Sequence, residues 1–172
     1  ICDNRAYFVE ITHQKKKSAF GRIIEERKIP ELPKPHIHLA LSLPRFQTVD
    51  RVVEKMVELG VKQVHLFSSD FSFIKPKAGE LDKKLKRWQK IIQGATQQTG
   101  RGELMELTEV TPLRVLLEKH FPHLGRWGLL AFEGVGGTTL KKRLDTSLKG
   151  LDEVWIFVGS EGGFSSKDIE LF

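Results

Sequence analysis

Residues 37–67 read IHLALSLPRFQTVDRVVEKMVELGVKQVHLF, and the hydrophobic period changes twice along them. Ile37 to Leu43 is an apolar run of strand length. From Thr48 to Leu59 the apolar residues Val49, Val52, Val53, Met56 and Val57 follow the i, i+3, i+4, i+7, i+8 spacing of one helical face. Gly60 then supplies a residue suited to the left-handed turn on which a helix ends. Val61 to Phe67 is a second apolar strand. Strand, helix and strand within about 30 residues make a βαβ unit, whose strands must lie parallel. The expected fold class is α/β with a parallel sheet.

On the amino-terminal side the pattern is different. Tyr7 to Thr12 and Phe20 to Ile24 read as strands, with the basic turn Lys15, Lys16 and Lys17 between them. Pro30, Pro33 and Pro35 then crowd a segment that can sit neither inside a helix nor in a central strand. This is the best linker in the chain. It divides residues 1–33 from a larger unit at 37–172.

On the carboxyl-terminal side, Glu80 to Thr99 is the longest helix, with Leu81, Leu85, Trp88, Ile92 and Ala95 on one face and Gly100 at its end. Met105 to Glu109 reads as a short strand. Thr111 and Pro112 read as an N-cap followed by a first helical residue, ahead of Leu113, Leu116 and Leu117. Trp127 to Phe132 and Val154 to Val158 are continuous apolar runs, which suit strands covered on both faces. Ser165 with Asp168 resembles a capping box.

The composition is that of a globular protein, with 40% hydrophobic and 29% charged residues in 172. No apolar run approaches the roughly 18 residues of a membrane span, and no signal peptide is visible. Cys2 is the single cysteine, so an intrachain disulfide and a zinc-cysteine site are both excluded. That fits a reducing compartment, and a cytoplasmic location is expected. The net charge of +6 suits a polyanionic partner, or simply a basic enzyme. The chain opens on Ile1 in a strand-like pattern and stops at Phe172 in a young helix, so residues are expected on both sides of it.

Two glycine-rich turns follow buried strands. One is Glu133-Gly134-Val135-Gly136-Gly137, and the other is Gly159-Ser160-Glu161-Gly162-Gly163-Phe164. Ligands in open α/β sheets bind beyond the carboxyl ends of the strands, where glycine lets them approach the main chain. Neither turn has the spacing of a dinucleotide fingerprint or of a phosphate loop. Each is either a ligand loop or an ordinary strand-to-helix turn.

Val158 to Ser165 resembles the Gly-Pro-Glu-Gly-Gly-Phe-Ser signature of the RsmE methyltransferases, which act on small-subunit ribosomal RNA and belong to the knotted SPOUT class. Two further stretches agree. Lys55-Met56-Val57-Glu58-Leu59-Gly60-Val61 is similar to that family's Lys-x-x-Glu-Leu-Gly-Val. Arg87-Trp88-Gln89-Lys90-Ile91, followed by Gln97-Gln98-Thr99-Gly100-Arg101, is similar to its Arg-Trp-x-Lys-Ile and Gln-Ser-x-Arg. The three motifs occur in the family's order, and the resemblance covers residues 37–172. The chain departs from the pattern at Ser160, where proline is usual, at Gly94, where Glu is common, and at Phe71, where Arg often precedes Ser72. The family's final Leu-Gly-x-Arg-Ile-Leu-Arg segment is not within the chain, so the knot and one wall of the cofactor pocket are expected to be incomplete in it.

The resemblance implies a partial, PUA-like β-barrel RNA-binding domain over residues 1–33 and a SPOUT-like domain with a C-terminal trefoil knot over 37–172. It implies S-adenosylmethionine as cofactor, held by Phe132, Glu133 and Gly134 and by Val158, Gly159, Ser160, Glu161, Gly162 and Gly163. It implies a homodimer, and as substrate a uridine in small-subunit (16S) ribosomal RNA or its particle, methylated at ring nitrogen 3. That nitrogen carries a proton at neutral pH, so a base, or a cation that stabilises the uridine anion, would help. Arg101 is the candidate cation, with a phosphate contact or a solvated arginine as the other readings. Glu161 is a candidate base or a residue that orders its loop. Lys15, Lys16 and Lys17 are candidate RNA contacts. The lysines of the long helix alternate with its apolar face and suit a solvated surface. The histidines show no spacing that suggests a metal. A catalytically silent RNA-binding protein of the same fold is the alternative function.

Overall fold

The computed structural model describes residues 4–72, 74–75, 79–121, 127–134, 139–142 and 150–172. Cys2, Lys77, His123, Arg143 and the stretch from Val135 to Gly137 lie outside the described residues.

Strands β1 (Arg5–Lys15) and β2 (Ser18–Lys28) pair antiparallel, turning at Lys16 and Lys17. They are longer than the apolar runs suggest, because polar residues continue the ladder at both ends. Irregularities between Phe8 and Val9 and between Ile11 and His13 shift the register. Side chains on both faces of this hairpin are exposed, Phe8, Ile11 and Phe20 among them. The two strands form a separate two-stranded sheet.

The rest builds around a six-stranded sheet with the order β5-β4-β3-β8-β7, in which β6 also pairs with β4. Its members are β3 (His36–Ser42), β4 (Gln63–Ser68), β5 (Glu106–Leu107), β6 (Thr111–Pro112), β7 (Trp127–Ala131) and β8 (Glu153–Val158). Every pairing within it is parallel. The β3–α1–β4 unit is the one the periodicity demands. Helix α1 (Phe46–Glu58) buries Val49, Val53 and Val57, and Gly60 follows with φ +77°. Helix α2 (Glu80–Thr99) buries Trp88, Ile92 and Ala95 and ends on Gly100, φ +70°.

Helices α1 and α2 cover one face of the sheet, where Leu39, Leu41, Val64, Leu66 and Trp88 form the larger core. Helix α3 (Leu113–His120) and the C-terminal residues cover the other face, around Phe67, Trp155, Phe157 and Phe164. The two helices on the first face are also clasped by a polar group. Asp50 of α1 accepts from Trp88 Nε1 at 2.8 Å and from Arg87 Nη2 at 3.0 Å. This gives the Arg-Trp pair of the sequence motif a structural task. No helix among the described residues is long and apolar enough to cross a membrane.

Two local expectations are corrected. Thr111 is not an N-cap: it and Pro112 pair with Phe67 and Ser68, so the chain stays extended until Leu113. Strand β7 is not covered on both faces. It is an edge strand, and Gly128 and Ala131 are exposed.

Candidate functional site

Strands β7 and β8 run side by side, and Ala131 is the register partner of Val158. Their carboxyl ends therefore place Glu133 and Gly134, the described start of the first glycine-rich turn, next to the second turn. A cleft of about 690 Å³ opens between them, lined by Ala131, Phe132, Glu133, Gly134 and the run Val158 to Phe164. That volume lies within the roughly 300–1,000 Å³ of small-molecule sites. Phe132, Glu133, Gly134, Val158, Gly159, Ser160, Glu161, Gly162 and Gly163 all lie on this one cleft; Ala131 and Phe164 were not foreseen.

The second turn is folded tightly on itself. Gly163 N–H donates to the Ser160 carbonyl at 2.9 Å, and Gly163 has φ +72°. A Cβ on Gly159 would stand 2.9 Å from the Gly163 main chain, and one on Gly134 would collide with the Phe132 ring. Glycine is required at these places by close approach of main chain or ring.

Two contacts fasten the turn to its surroundings, and two more follow just beyond it. Glu161 Oε1 accepts from the Arg45 N–H, at the start of α1, at 3.2 Å. Ser160 Oγ donates to the Phe71 carbonyl at 2.6 Å. Beyond the turn, Ser165 and Asp168 close a capping box on helix α4 (Ser166–Ile169). The Ser165 hydroxyl also donates to Asp70 Oδ2 at 2.8 Å, and the Asp70 N–H reaches Asp168 Oδ1 at 3.4 Å. The loop after β4 thus acts as a buttress. It is itself held by hydroxyls, with Ser42 Oγ 2.7 Å from Ser69 Oγ and 3.0 Å from Ser72 Oγ. Sequence reasoning passed over Ser69, Asp70 and Ser72. Their signal was a short polar, hydroxyl-rich run directly after a buried strand.

The charge of the cleft restricts its ligand. Among the described lining residues, Glu133 and Glu161 are anionic and none is cationic. Such a lining disfavours a phosphate group and suits a ligand carrying positive charge. S-adenosylmethionine, whose sulfonium is cationic, fits these residues.

The remaining candidates lie elsewhere. The structure does not bring Arg101, the candidate cation, to the cleft. It is buried, and Nη1 donates to the Val61 carbonyl at 2.7 Å. Val61 precedes β4, whereas the cleft lies beyond the carboxyl ends of β7 and β8. In a parallel sheet these are opposite ends, separated by roughly 15–20 Å at about 3.3 Å per residue. Burial lowers the Arg101 pKa from the ordinary arginine value, and Glu103, with an oxygen 3.7 Å from Nη2, opposes that shift. Arg101 is a packing and hydrogen-bonding residue between α2 and β4. Glu161 is occupied as a main-chain acceptor, the loop-ordering alternative. Glu58 pairs with Lys55 on the surface of α1. Lys15, Lys16 and Lys17 are exposed at the hairpin turn, and Lys15 Nζ lies 5.8 Å from the Phe20 ring centroid. His38 and His65 are buried against Trp155, with His38 Nδ1 3.3 Å from His65 Nε2 and the His120 ring edge-on to His65.

Comparison with known proteins brings in the same region. A model of the RNA methyltransferase domain matches residues 30–172. The ribosomal RNA small subunit methyltransferase E of Helicobacter pylori strain J99 is 30% identical over 166 residues, 96% of this chain and 67% of that protein. The protein of the same name from Mesomycoplasma hyopneumoniae is 28% identical over 172 residues, 99% of this chain and 70% of that one. Among solved structures, a Legionella pneumophila methyltransferase in complex with bound S-adenosylmethionine superposes with TM-score 0.80 at 27% identity. That match covers 98% of this chain and 66% of the other. A ribosomal RNA small subunit methyltransferase E from Neisseria gonorrhoeae, also bound to S-adenosylmethionine, shares the fold with TM-score 0.83 at 22% identity, over 98% of this chain and 67% of that one. The chain spans about two thirds of the length of these relatives.

Proposed function

The chain belongs to the RNA methyltransferase family that includes the ribosomal RNA small subunit methyltransferase E proteins, and from that premise we propose that it transfers a methyl group from S-adenosylmethionine to ring nitrogen 3 of a uridine in small-subunit ribosomal RNA. The observation that carries the cofactor half of this reading is the cleft shared by Glu133, Gly134 and the second glycine turn, with carboxylates and no cation among its described lining residues. When bound, S-adenosylmethionine supplies a methyl group already activated by its positively charged sulfur. The chain's own residues do the rest. The Gly159 to Gly163 turn offers main-chain groups to a ligand, and Phe132, whose ring packs on Gly134, supplies an apolar wall. Glu133 and Glu161 add negative charge. The contacts of Glu161, Ser160 and Asp168 keep the turn rigid, so that the methyl group meets its acceptor in one orientation. Phe132, Glu133, Gly134 and the run from Val158 to Gly163 would hold the cofactor, and the proton that uridine nitrogen 3 carries would pass to solvent or to a base as the methyl group is taken up.

The substrate half rests on the names of the relatives and on charge. The exposed Lys15–Lys17 turn would contact phosphates, giving affinity and salt dependence rather than sequence choice. We infer in addition that residues 1–33 belong to an RNA-binding barrel, that residues 37–172 form a domain completed by a trefoil knot, and that the enzyme works as a cytoplasmic homodimer. Sedimentation at micromolar concentration is expected to give twice the chain mass, and a monomer would refute the dimer.

Calorimetry with S-adenosylmethionine tests the cofactor site, and no heat at millimolar ligand would remove it. Mass spectrometry of ribosomal RNA from cells lacking the protein tests the substrate. Loss of one methyluridine is expected. An unchanged inventory would overturn the assignment and leave an RNA-binding protein without this activity.

A further inference from the structure

Helix α2 carries its charge unevenly. Lys83, Lys84, Lys86, Arg87 and Lys90 crowd residues 83–90, and no acidic residue follows Asp82 before the helix ends at Thr99. Glu80 and Asp82 in the first turn suit the helix dipole, whose effect fades beyond the terminal turns, so the cations that follow gain nothing from it. A helix face that only meets solvent usually mixes the two signs. Two of the cations are engaged within the fold: Arg87 holds Asp50, and Lys84 Nζ lies 4.8 Å over the Phe46 ring. Lys83, Lys86 and Lys90 are exposed and make no ion pair among the described residues.

A groove of about 820 Å³ runs between α2 and the short edge strand β5, lined by Lys86 and Lys90, by the amides of Gln89 and Gln93, by the buried Ile92 and Met105, and by one carboxylate, Glu106. Lys83 stands on an adjoining hollow that it shares with Lys86, Arg87 and Lys90. The direction of α2 matters here. It leaves the carboxyl end of β4 and returns to the amino end of β5, which is parallel to β4. Its first turns therefore lie at the carboxyl end of the sheet, the end at which the cofactor cleft opens, while the groove follows α2 along the β5 edge, opposite the β7 edge that carries the cleft.

We propose that this groove is a second RNA-binding surface, in which Lys83, Lys86 and Lys90 hold the phosphate backbone of the substrate while its target base is presented at the glycine turns. Lysines spaced along one helix face follow a strand of phosphates, and the glutamine amides beside an apolar floor suit unpaired bases or ribose hydroxyls. This surface rests on the RNA methyltransferase reading and adds to the hairpin turn as a point of contact.

The test measures three quantities on the full chain: affinity for small-subunit ribosomal RNA, the slope of that affinity against salt, and binding of S-adenosylmethionine. The variant Lys83→Gln, Lys86→Gln, Lys90→Gln is expected to bind the cofactor as the parent does, which also shows that it is folded. Its RNA affinity should fall on the order of tenfold or more, and its salt slope should flatten by roughly 2, since each phosphate contact contributes about 0.7–0.9. The same three positions changed to Arg should retain binding. Lys55→Gln, which removes a lysine already paired with Glu58, should change little. Unaltered RNA affinity and slope in the triple Gln variant would overturn the groove while leaving the methyltransferase reading intact, as would an equal loss in Lys55→Gln. A parent chain that binds cofactor but no RNA would overturn both the groove and the substrate assignment.

Discussion

Ser160 Oγ donates to the main-chain carbonyl of Phe71 at 2.6 Å, and both are positions at which the chain departs from its family's usual residues. The two departures meet. A proline at 160 would stiffen the turn through its ring and could not donate; serine instead ties the turn to the neighbouring loop.

Ser160→Ala removes that tie. A hydrogen bond of this kind contributes about 1 kcal/mol net, so affinity for S-adenosylmethionine is expected to fall about fivefold. Calorimetry reads this directly. An unchanged affinity would mean that the contact does not set the shape of the turn.

Gly159→Ala forces a Cβ to within 2.9 Å of the Gly163 main chain. The turn must open, and cofactor binding is expected to weaken by at least tenfold. The cores lie elsewhere, so the thermal midpoint should drop by only a few degrees. Heat capacity scans alongside calorimetry separate the two effects.

Asp50→Ala leaves the buried Trp88 indole and Arg87 without their shared acceptor. A loss of about 1–3 kcal/mol in urea unfolding is expected. Asp50→Asn keeps an acceptor for Trp88 and should cost less. Equal losses in the two variants would show that charge, rather than the indole hydrogen bond, is what matters.

Arg101→Ala should act on stability and not on the chemical step. It deletes a buried charged donor to Val61, at a cost of about 1.5–3 kcal/mol. In urea the unfolding midpoint should shift, while folded protein binds S-adenosylmethionine as before. A large drop in turnover at unchanged stability would restore Arg101 to the reaction.

The parts of this fold that could be read from the sequence are those encoded locally. The valine spacing of α1 and the apolar runs of β3 and β4 need no partner to be recognised, and Gly60 and Gly100 mark helix ends by their own conformational freedom. Glycine turns after buried strands mark the loops, but the nine expected cleft residues follow from the family resemblance, and the structure brings those nine to one cleft. Arg101 was not legible, because its fate is decided by a carbonyl 40 positions away. Thr111 and Pro112 have the composition of a helix start, but strand β4 had already claimed them. The edge position of β7 depends on strand order, which hydrophobicity alone does not carry.

The glycine turn is held by partners distant along the chain: Glu161 reaches back 116 positions to Arg45, Ser160 reaches 89 to Phe71, and Asp168 reaches 98 to Asp70. Contacts of such long separation are the last to repay their loop-closure entropy. During synthesis, the Arg45 N–H and the Phe71 carbonyl must wait for the 116 and 89 positions that separate them from their partners in the turn. Competence to bind the cofactor should therefore arrive late and abruptly, together with the final docking of the sheet. A nascent chain arrested before Gly159 would have helices and a partial core but no capacity to retain ligand, and in refolding experiments ligand capture would lag behind the burial of Trp88.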